Sequence, residues 1–165
     1  MLISNTGQLK FVTSDHKPDD NIEAKRIRSA GGSVSFGRVD GELAMSRSIG
    51  DYNYKQSTEL KPQEQKVIAE PDCTLLTAEI GEKLLICCDG LVEKLTNEQV
   101  VQFVINESKL NPNDPAQVVS KLLDFSLIRG SKDNMSAMLI EFTDGTDYNN
   151  GDTFIPGPFT DGEGK

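Results

Sequence analysis

The strongest constraint on the fold is a run of five apolar residues, Leu84 to Cys88, that ends in Asp89-Gly90. Such a run predicts a strand that is buried on both faces, and the Asp-Gly pair predicts a loop directly after it. An aspartate at the mouth of a buried strand is costly unless its charge is paired or bound by a metal. Asp89 is therefore the first candidate for a chemical role.

A second acid follows a similar pattern near the end of the chain. Asp133 lies in a turn at residues 130–134, just before a strand predicted from Met135 to Phe142. If this strand neighbours the Leu84–Cys88 strand, both carboxylates reach one site at an edge of the sheet. Carboxylate oxygens suit Mg²⁺ or Mn²⁺. The alternative interpretation is that each aspartate only caps a turn.

Alternating apolar residues and turn signals predict the other strands. They are expected at residues 2–3, 9–12, 34–36, 43–45, 66–69 and 74–77. The first two form a hairpin, and Asp40-Gly41 predicts the turn of a second hairpin. The polar stretch at 51–65 predicts a surface loop.

Apolar spacing and cap residues predict three helices. Asp20 and Glu23 are expected to form a capping box at the first helix, and Thr96 and Gln99 at the second. Pro115 opens the third, where its missing N–H costs nothing.

The charge of the chain disfavours several classes of protein. The net charge is −9, which argues against partners such as nucleic acid or an anionic membrane surface. No apolar run approaches the roughly 20 residues of a membrane span, and no signal-peptide pattern follows Met1. The three cysteines form no disulfide framework, so we expect a cytoplasmic protein, with the nucleus as the alternative. After residue 142 the chain becomes acidic and rich in glycine and proline, which predicts a domain at 1–142 and a tail at 143–165.

Other polar residues carry weaker hypotheses. Asp15 is more often a turn residue than a ligand. His16, the only histidine, has no Ser or Cys nucleophile motif beside it, which argues against a general-base role. Cys87 and Cys88 are interpreted as inert core residues. Some arginines could bind phosphate, although a solvated helix face (Arg26, Arg28) or hairpin salt bridges (Arg38, Arg47) would also explain them.

The motifs, in their order, resemble the metal-dependent protein phosphatases of type 2C, from about residue 1 to residue 142. They are Asp15-His16-Lys17-Pro18, Glu23 with Arg26-Ile27 and Ala30-Gly31-Gly32, the run from Arg38 to Asp51, Ala69-Glu70-Pro71-Asp72, Cys88-Asp89-Gly90-Leu91, and the run from Gly130 to Ser136. The resemblance implies an α+β fold, a partial four-layer α/β/β/α sandwich of antiparallel sheets flanked by helices. It also implies hydrolysis of phosphoserine and phosphothreonine in phosphoprotein substrates, by water held between two Mn²⁺ or Mg²⁺ ions.

The resemblance assigns roles to single residues. Asp89 and Asp133 match metal ligands of the family, and Asp15 matches an aspartate of a third, weaker metal. The family usually has Trp-Asp where this chain has Val92-Glu93. Glu93 is therefore a candidate ligand of the third metal. Its side chain is one methylene longer than the aspartate usual at this position.

The resemblance also implies an absence. The segment with the family's phosphate-binding arginine and its Asp-Gly-His-Gly motif has no counterpart, so the catalytic residues are expected upstream of Met1 and none in this chain. We therefore expect the chain to be inactive alone. The alternatives are a noncatalytic phosphatase-like binding or regulatory module, and a plain α+β domain whose acids only solubilise it. Exposed strand edges of a partial sandwich would also favour self-association.

Overall fold

The computed structural model describes residues 1–144, which form two compact units. The first unit contains Met1–Thr13 and the described residues from Thr77 onward, and the second contains Ser14–Leu76. The predicted division into 1–142 and 143–165 stays a prediction, because residues 145–165 lie outside the described part of the chain.

Six strands and four α-helices are present in the described residues. The strands are β1 (Leu2–Ile3), β2 (Leu9–Phe11), β3 (Val34–Ser35), β4 (Arg38–Val39), β5 (Lys83–Cys87) and β6 (Ala137–Glu141). The helices are α1 (Asn21–Ser29), α2 (Asp89–Val92), α3 (Asn97–Leu110) and α4 (Pro115–Ile128), with 3₁₀ turns at Tyr52–Tyr54 and Pro62–Glu64. Helices combined with antiparallel strands confirm the predicted α+β class.

A four-stranded antiparallel sheet in the order β2-β1-β5-β6 organises the first unit. The predicted N-terminal hairpin is confirmed as β1 and β2. The predicted burial of β5 on both faces is wrong, because Leu85 is 1% exposed whereas Ile86 is 52% exposed. Helices α3 and α4 supply apolar residues to one face only, and the opposite face carries Ile86 with its register partner Met138.

The core of the first unit lies between this sheet and helices α3 and α4. Its buried members are Ile3, Leu85, Leu91, Leu95, Val100, Val101, Val104, Val118 and Leu122. The predicted helix starts are confirmed. Thr96 and Gln99 form a reciprocal capping box at α3, and the Asp114 side chain accepts from the N–H of Gln117 at α4.

The second unit contains α1 and the β3–β4 hairpin, packed around a small core of Ile27, Val39 and Val67. The hairpin turns at Phe36-Gly37, with φ of 52° and 68°, and not at Asp40-Gly41 as predicted. Asp40-Gly41 makes a further left-handed turn, next to an isolated bridge from Val39 to Leu43. Phenylalanine is uncommon in the left-handed region, so the sequence carried little signal for the first turn.

Two further predictions for the second unit are wrong. The Asp20 side chain makes no cap hydrogen bond to α1, and Glu23 is buried instead of closing a capping box. The strands expected at 66–69 and 74–77 are not formed, apart from an isolated bridge between Arg47 and Ile68. Among residues 1–144, no helix is both long and apolar enough to span a membrane.

Candidate metal site

The structure places Asp89 and Asp133 at the same end of the β5–β6 pair. Asp89 is the first residue of α2, directly after β5, and Asp133 lies in the turn between α4 and β6. Cys87 pairs with Ala137, which confirms the prediction that the two strands are neighbours. Both aspartates are exposed, and Asp133 Oδ1 accepts the N–H of Asn134 at 2.7 Å.

Gly90 brings α2 into direct contact with the turn that carries Asp133. A Cβ built on Gly90 would lie 2.2 Å from the carbonyl oxygen of Asn134 and 3.2 Å from the Cβ of Asp133. No side chain fits at the first of these distances, so glycine is required for this close approach. Gly90, which follows Asp89, therefore packs against the backbone of Asn134, which follows Asp133.

Cys88 makes a second link between the same two segments. Its Sγ accepts the N–H of Ser136 at 3.2 Å and lies 3.4 Å from the carbonyl oxygen of Asn134. The hydrogen bond from Ser136 lowers the pKa of the Cys88 thiol, whereas burial raises the pKa of Cys87. Cys87 packs against the core as interpreted, whereas the half-exposed Cys88 is not part of the core. Their chemical inertness stays a prediction.

Glu93 lies at the other end of α2, with both carboxylate oxygens engaged by protein groups. Oε1 is 2.7 Å from Nζ of Lys94. Oε2 accepts the backbone N–H of Lys132 at 3.2 Å and lies 3.1 Å from Oγ of Ser131. Lys94 and then the Lys132 N–H lower the pKa of Glu93. Its role as a ligand of a third metal stays a prediction.

Asp15 belongs to the second unit. It is exposed, in a segment without regular secondary structure, and Nζ of Lys17 lies 3.9 Å from its Oδ2. The neighbouring His16 has its Nε2 2.9 Å from Oδ2 of Asp72, and Arg47 Nη1 donates to the other oxygen of Asp72 at 2.8 Å. The segment that carries Asp15 is therefore tied to charged groups of its own unit.

A buried carboxylate extends this network and was missed in the sequence. Glu23 is 2% exposed, and its oxygens lie 2.6 Å from Nη2 of Arg47 and 2.6 Å from Nη1 of Arg26. Burial opposes its ionisation, but the hydrogen bonds from Arg47 and the adjacent Arg26 guanidinium outweigh this effect and lower the pKa of Glu23 to about 2.

The structure bears out the sequence interpretation for some of the four arginines and not for others. The solvated helix face suggested for Arg26 is wrong. The side chain is half-buried and also donates hydrogen bonds to the carbonyl oxygens of Ser46 and Gln65. Arg47 pairs with acids outside the hairpin, Glu23 and Asp72. Arg28 is exposed, in line with a solvated helix face. Arg38 Nη1 donates a hydrogen bond to the carbonyl oxygen of Glu42.

The donor set fits a hard divalent ion in part. In residues 1–144, no group of three or more histidine, cysteine or acidic side chains is arranged to hold a metal. Mg²⁺ is often held by one or two carboxylates, with waters and substrate oxygens completing its shell. Asp89 and Asp133, at one end of the sheet, meet that lesser requirement.

Helices packed on an antiparallel sheet, with two acids at the same end of the β5–β6 pair, define an α+β protein with a candidate carboxylate site. The sequence profile of "Protein phosphatase 2C" matches residues 1–135. The chain belongs to the protein phosphatase 2C family, as the motif resemblance implied.

Relatives and solved structures agree with this assignment. Mouse "Protein phosphatase 1B" is 40% identical over 144 residues, a match that covers 86% of this chain and 36% of the mouse protein. "Probable protein phosphatase 2C 6" of Paramecium tetraurelia is 41% identical over 146 residues, covering 85% of this chain and 49% of that protein. A crystal structure of a Toxoplasma gondii phosphatase superposes with a TM-score of 0.83 at 39% identity, over 86% of this chain and 44% of that one. The chain thus spans well under two thirds of the length of these relatives.

Proposed function

We propose that this chain supplies the Asp89–Asp133 part of the metal site of a protein serine/threonine phosphatase that acts on phosphoproteins. The observation that carries the proposal is the contact of Gly90 with Asp133 and Asn134, which joins the segments of the two acids. Mn²⁺ or Mg²⁺ held there would lower the pKa of water and balance charge on the phosphoryl oxygens.

The chain's own residues have positioning roles in this proposal. β5 and β6 hold the two aspartates at one end of the sheet, and Cys88 links the backbones beside them. Both carboxylates are exposed, so a phosphate monoester and an ion can reach them from solvent. The resemblance implied Asp15 and Glu93 for a third ion, and of these two residues we propose only Asp15 as a candidate ligand.

The chain alone is proposed to be inactive, because it supplies two carboxylates and no further acid arranged with them in residues 1–144. We expect no phosphate release from a phosphothreonine peptide with Mn²⁺. Phosphate release by the chain alone that is abolished by Asp89→Asn would contradict the proposed inactivity.

A chimera tests the phosphatase function itself. The part of this chain that matches mouse Protein phosphatase 1B would replace the matched segment of the mouse protein. We expect Mn²⁺-dependent phosphate release that falls at least about 100-fold in Asp89→Asn, the loss of roughly 2.7 kcal/mol of barrier lowering. A folded, active chimera that is indifferent to both Asp89→Asn and Asp133→Asn would contradict the proposal.

The apolar face of the first unit's sheet favours a second candidate, a binding module that associates with a second copy of this chain. Met138 is 58% exposed, Ile86 52% and Ile140 37%, and their register places them on one face. Among residues 1–144, β6 is also an edge strand of the sheet and can pair with a strand from another molecule.

Sedimentation of the full chain decides this second candidate. We expect a concentration-dependent dimer that Met138→Glu dissociates. The matched control is Ile128→Glu, at an 82% exposed position on α4, which should leave the dimer intact. A monomer at every concentration, or a dimer insensitive to Met138→Glu, would reject association through this face.

For location we propose the cytoplasm, with the nucleus as the alternative. The support is that Cys73, Cys87 and Cys88 are all free thiols, as is usual in reducing compartments. Imaging of a fluorescent fusion tests this, and a secreted product would contradict it.

A further inference from the structure

Helix α2 is fastened at both ends to the turn that carries Asp133. At its start, Gly90 lies against the backbone of Asn134. Just after its end, Glu93 Oε2 accepts the N–H of Lys132 at 3.2 Å. Ser131 joins the two attachments, because its buried hydroxyl lies 2.7 Å from the Gly90 carbonyl oxygen and 3.1 Å from Glu93 Oε2.

The two oxygens of Glu93 have different partners. Oε1 pairs with Lys94 at 2.7 Å, in an exposed ion pair next to it in the chain. Exposed pairs of this kind contribute little to stability. Oε2 alone reaches across to the turn, so a metal bound through Oε2 would compete with the Lys132 N–H and the Ser131 hydroxyl for the same oxygen.

We infer that Glu93 is a positioning residue that holds the Asp133 turn against α2 through Oε2, and that it does not itself bind a metal. The inference rests on the proposed function, in which Asp133 is a metal ligand. It departs from the third-metal role that the resemblance implied for this position. Groups that orient metal ligands commonly contribute a factor of about 10 to 100 to metal affinity.

Mn²⁺ binding to variants of the full chain, measured from the electron paramagnetic resonance signal of free Mn²⁺, separates the two roles. Glu93→Gln keeps an acceptor oxygen but loses the charge, so we expect Mn²⁺ affinity within about twofold of the wild type. Glu93→Ala and Ser131→Ala should each weaken binding about tenfold, and their combination no more than either alone. Lys94→Ala, which removes only the partner of Oε1, is the matched control and should change nothing.

Two results with Mn²⁺ would overturn the inference. Equal losses in Glu93→Gln and Glu93→Ala would show that the charge of Glu93 acts on the ion. Unchanged Mn²⁺ affinity in Glu93→Ala would show that Glu93 does not position the Asp133 turn for metal binding. Absence of any wild-type Mn²⁺ binding that depends on Asp89 would instead contradict the proposed function.

Amide hydrogen exchange at Lys132 tests the contact without any metal. We expect exchange about tenfold faster in Glu93→Ala, as for the loss of one hydrogen bond, and within about twofold of the wild type in Glu93→Gln. Unchanged exchange in Glu93→Ala would overturn the positioning role whatever Mn²⁺ does.

Discussion

The carboxylate of Glu23 shows how a single buried charge is stabilised in the second unit. Arg26 and Arg47 each approach one of its oxygens at 2.6 Å. A buried charge with such partners is costly to leave unpaired, and removal of one partner commonly costs about 3–5 kcal/mol. The pKa of about 2 lies below the ordinary value of 4.5, so the folded state favours the ionised form.

The lowered pKa of Glu23 predicts a specific pH dependence. Since the folded-state pKa is depressed, the contribution of Glu23 to stability is complete above about pH 5 and is lost as the pH falls towards 2. We expect Glu23→Gln to lower the free energy of unfolding by about 3 kcal/mol at pH 7. The difference from the wild type should shrink between pH 5 and pH 2.

Urea unfolding followed by circular dichroism at several pH values measures this difference. Glu59→Gln, at an exposed position, is the matched control and should cost less than about 0.5 kcal/mol throughout. A gap between Glu23→Gln and the wild type that stays constant from pH 7 to pH 3 would contradict the assignment.

At the scale of elements, the end of β5, helix α2 and the turn before β6 behave as one connected piece. Gly90, Cys88 and Glu93 each contact the 130–136 segment. The close approach at Gly90 is the tightest of these contacts, so it is the position at which a small change should separate the two aspartates.

Gly90→Ala tests this element directly. The new Cβ would meet the Asn134 carbonyl oxygen at 2.2 Å, so the turn must move, at a cost of about 1–3 kcal/mol. We expect a lower midpoint of thermal unfolding and weaker Mn²⁺ binding together. Gly31→Ala, where a Cβ meets nothing within 4 Å but φ is +76°, should cost about 1–2 kcal/mol and leave Mn²⁺ binding unchanged. Equal Mn²⁺ affinity in the wild type and Gly90→Ala would count against the contact's role.

Helix α3 offers a second test at this scale. Thr96 accepts the N–H of Gln99, and the Gln99 side chain accepts the N–H of Thr96. Thr96→Ala should therefore lower the free energy of unfolding by about 1 kcal/mol. Thr74→Ala, at an exposed position without regular structure, should have almost no effect, and a cost for Thr96→Ala no larger than this control would rule out the cap.

The parts of the fold that follow from local rules were predictable from the sequence. Thr96 and Pro115 mark the starts of α3 and α4, and the strands before Asp89 and after Asp133 are neighbours as expected. The predictions that were wrong concern residues whose contacts are far away in sequence. Glu23 carries a capping pattern but is drawn to Arg47, 24 positions away in sequence. The exposure of Ile86 depends on what covers the sheet, which apolarity alone does not reveal.

On the scale of the whole molecule, the residues proposed as metal ligands are distributed over two compact units. The first holds Asp89, Asp133 and Glu93, and the second holds Asp15 with its ion-paired neighbours. This chain matches 36% of mouse Protein phosphatase 1B, and we propose that it contributes a pair of acids to one divalent-ion site.

The lone histidine gives a separate test of Asp15. Mn²⁺ bound at Asp15 should broaden the His16 ring resonances through its unpaired electrons, since the two residues are adjacent. We expect Asp15→Asn to abolish this broadening while Asp89→Asn preserves it. Broadening that survives Asp15→Asn would exclude Asp15 as the ligand responsible.

Mn²⁺ titration of the full chain, of Asp89→Asn, of Asp133→Asn and of the double variant shows whether Asp89 and Asp133 bind the same ion. If the two acids share one ion, each single substitution should weaken binding about tenfold, or roughly 1.4 kcal/mol. The double variant should then lose much less than the product of the two single losses, since either change alone disrupts the shared site. Losses that multiply independently, or Mn²⁺ binding that neither substitution alters, would contradict the claim.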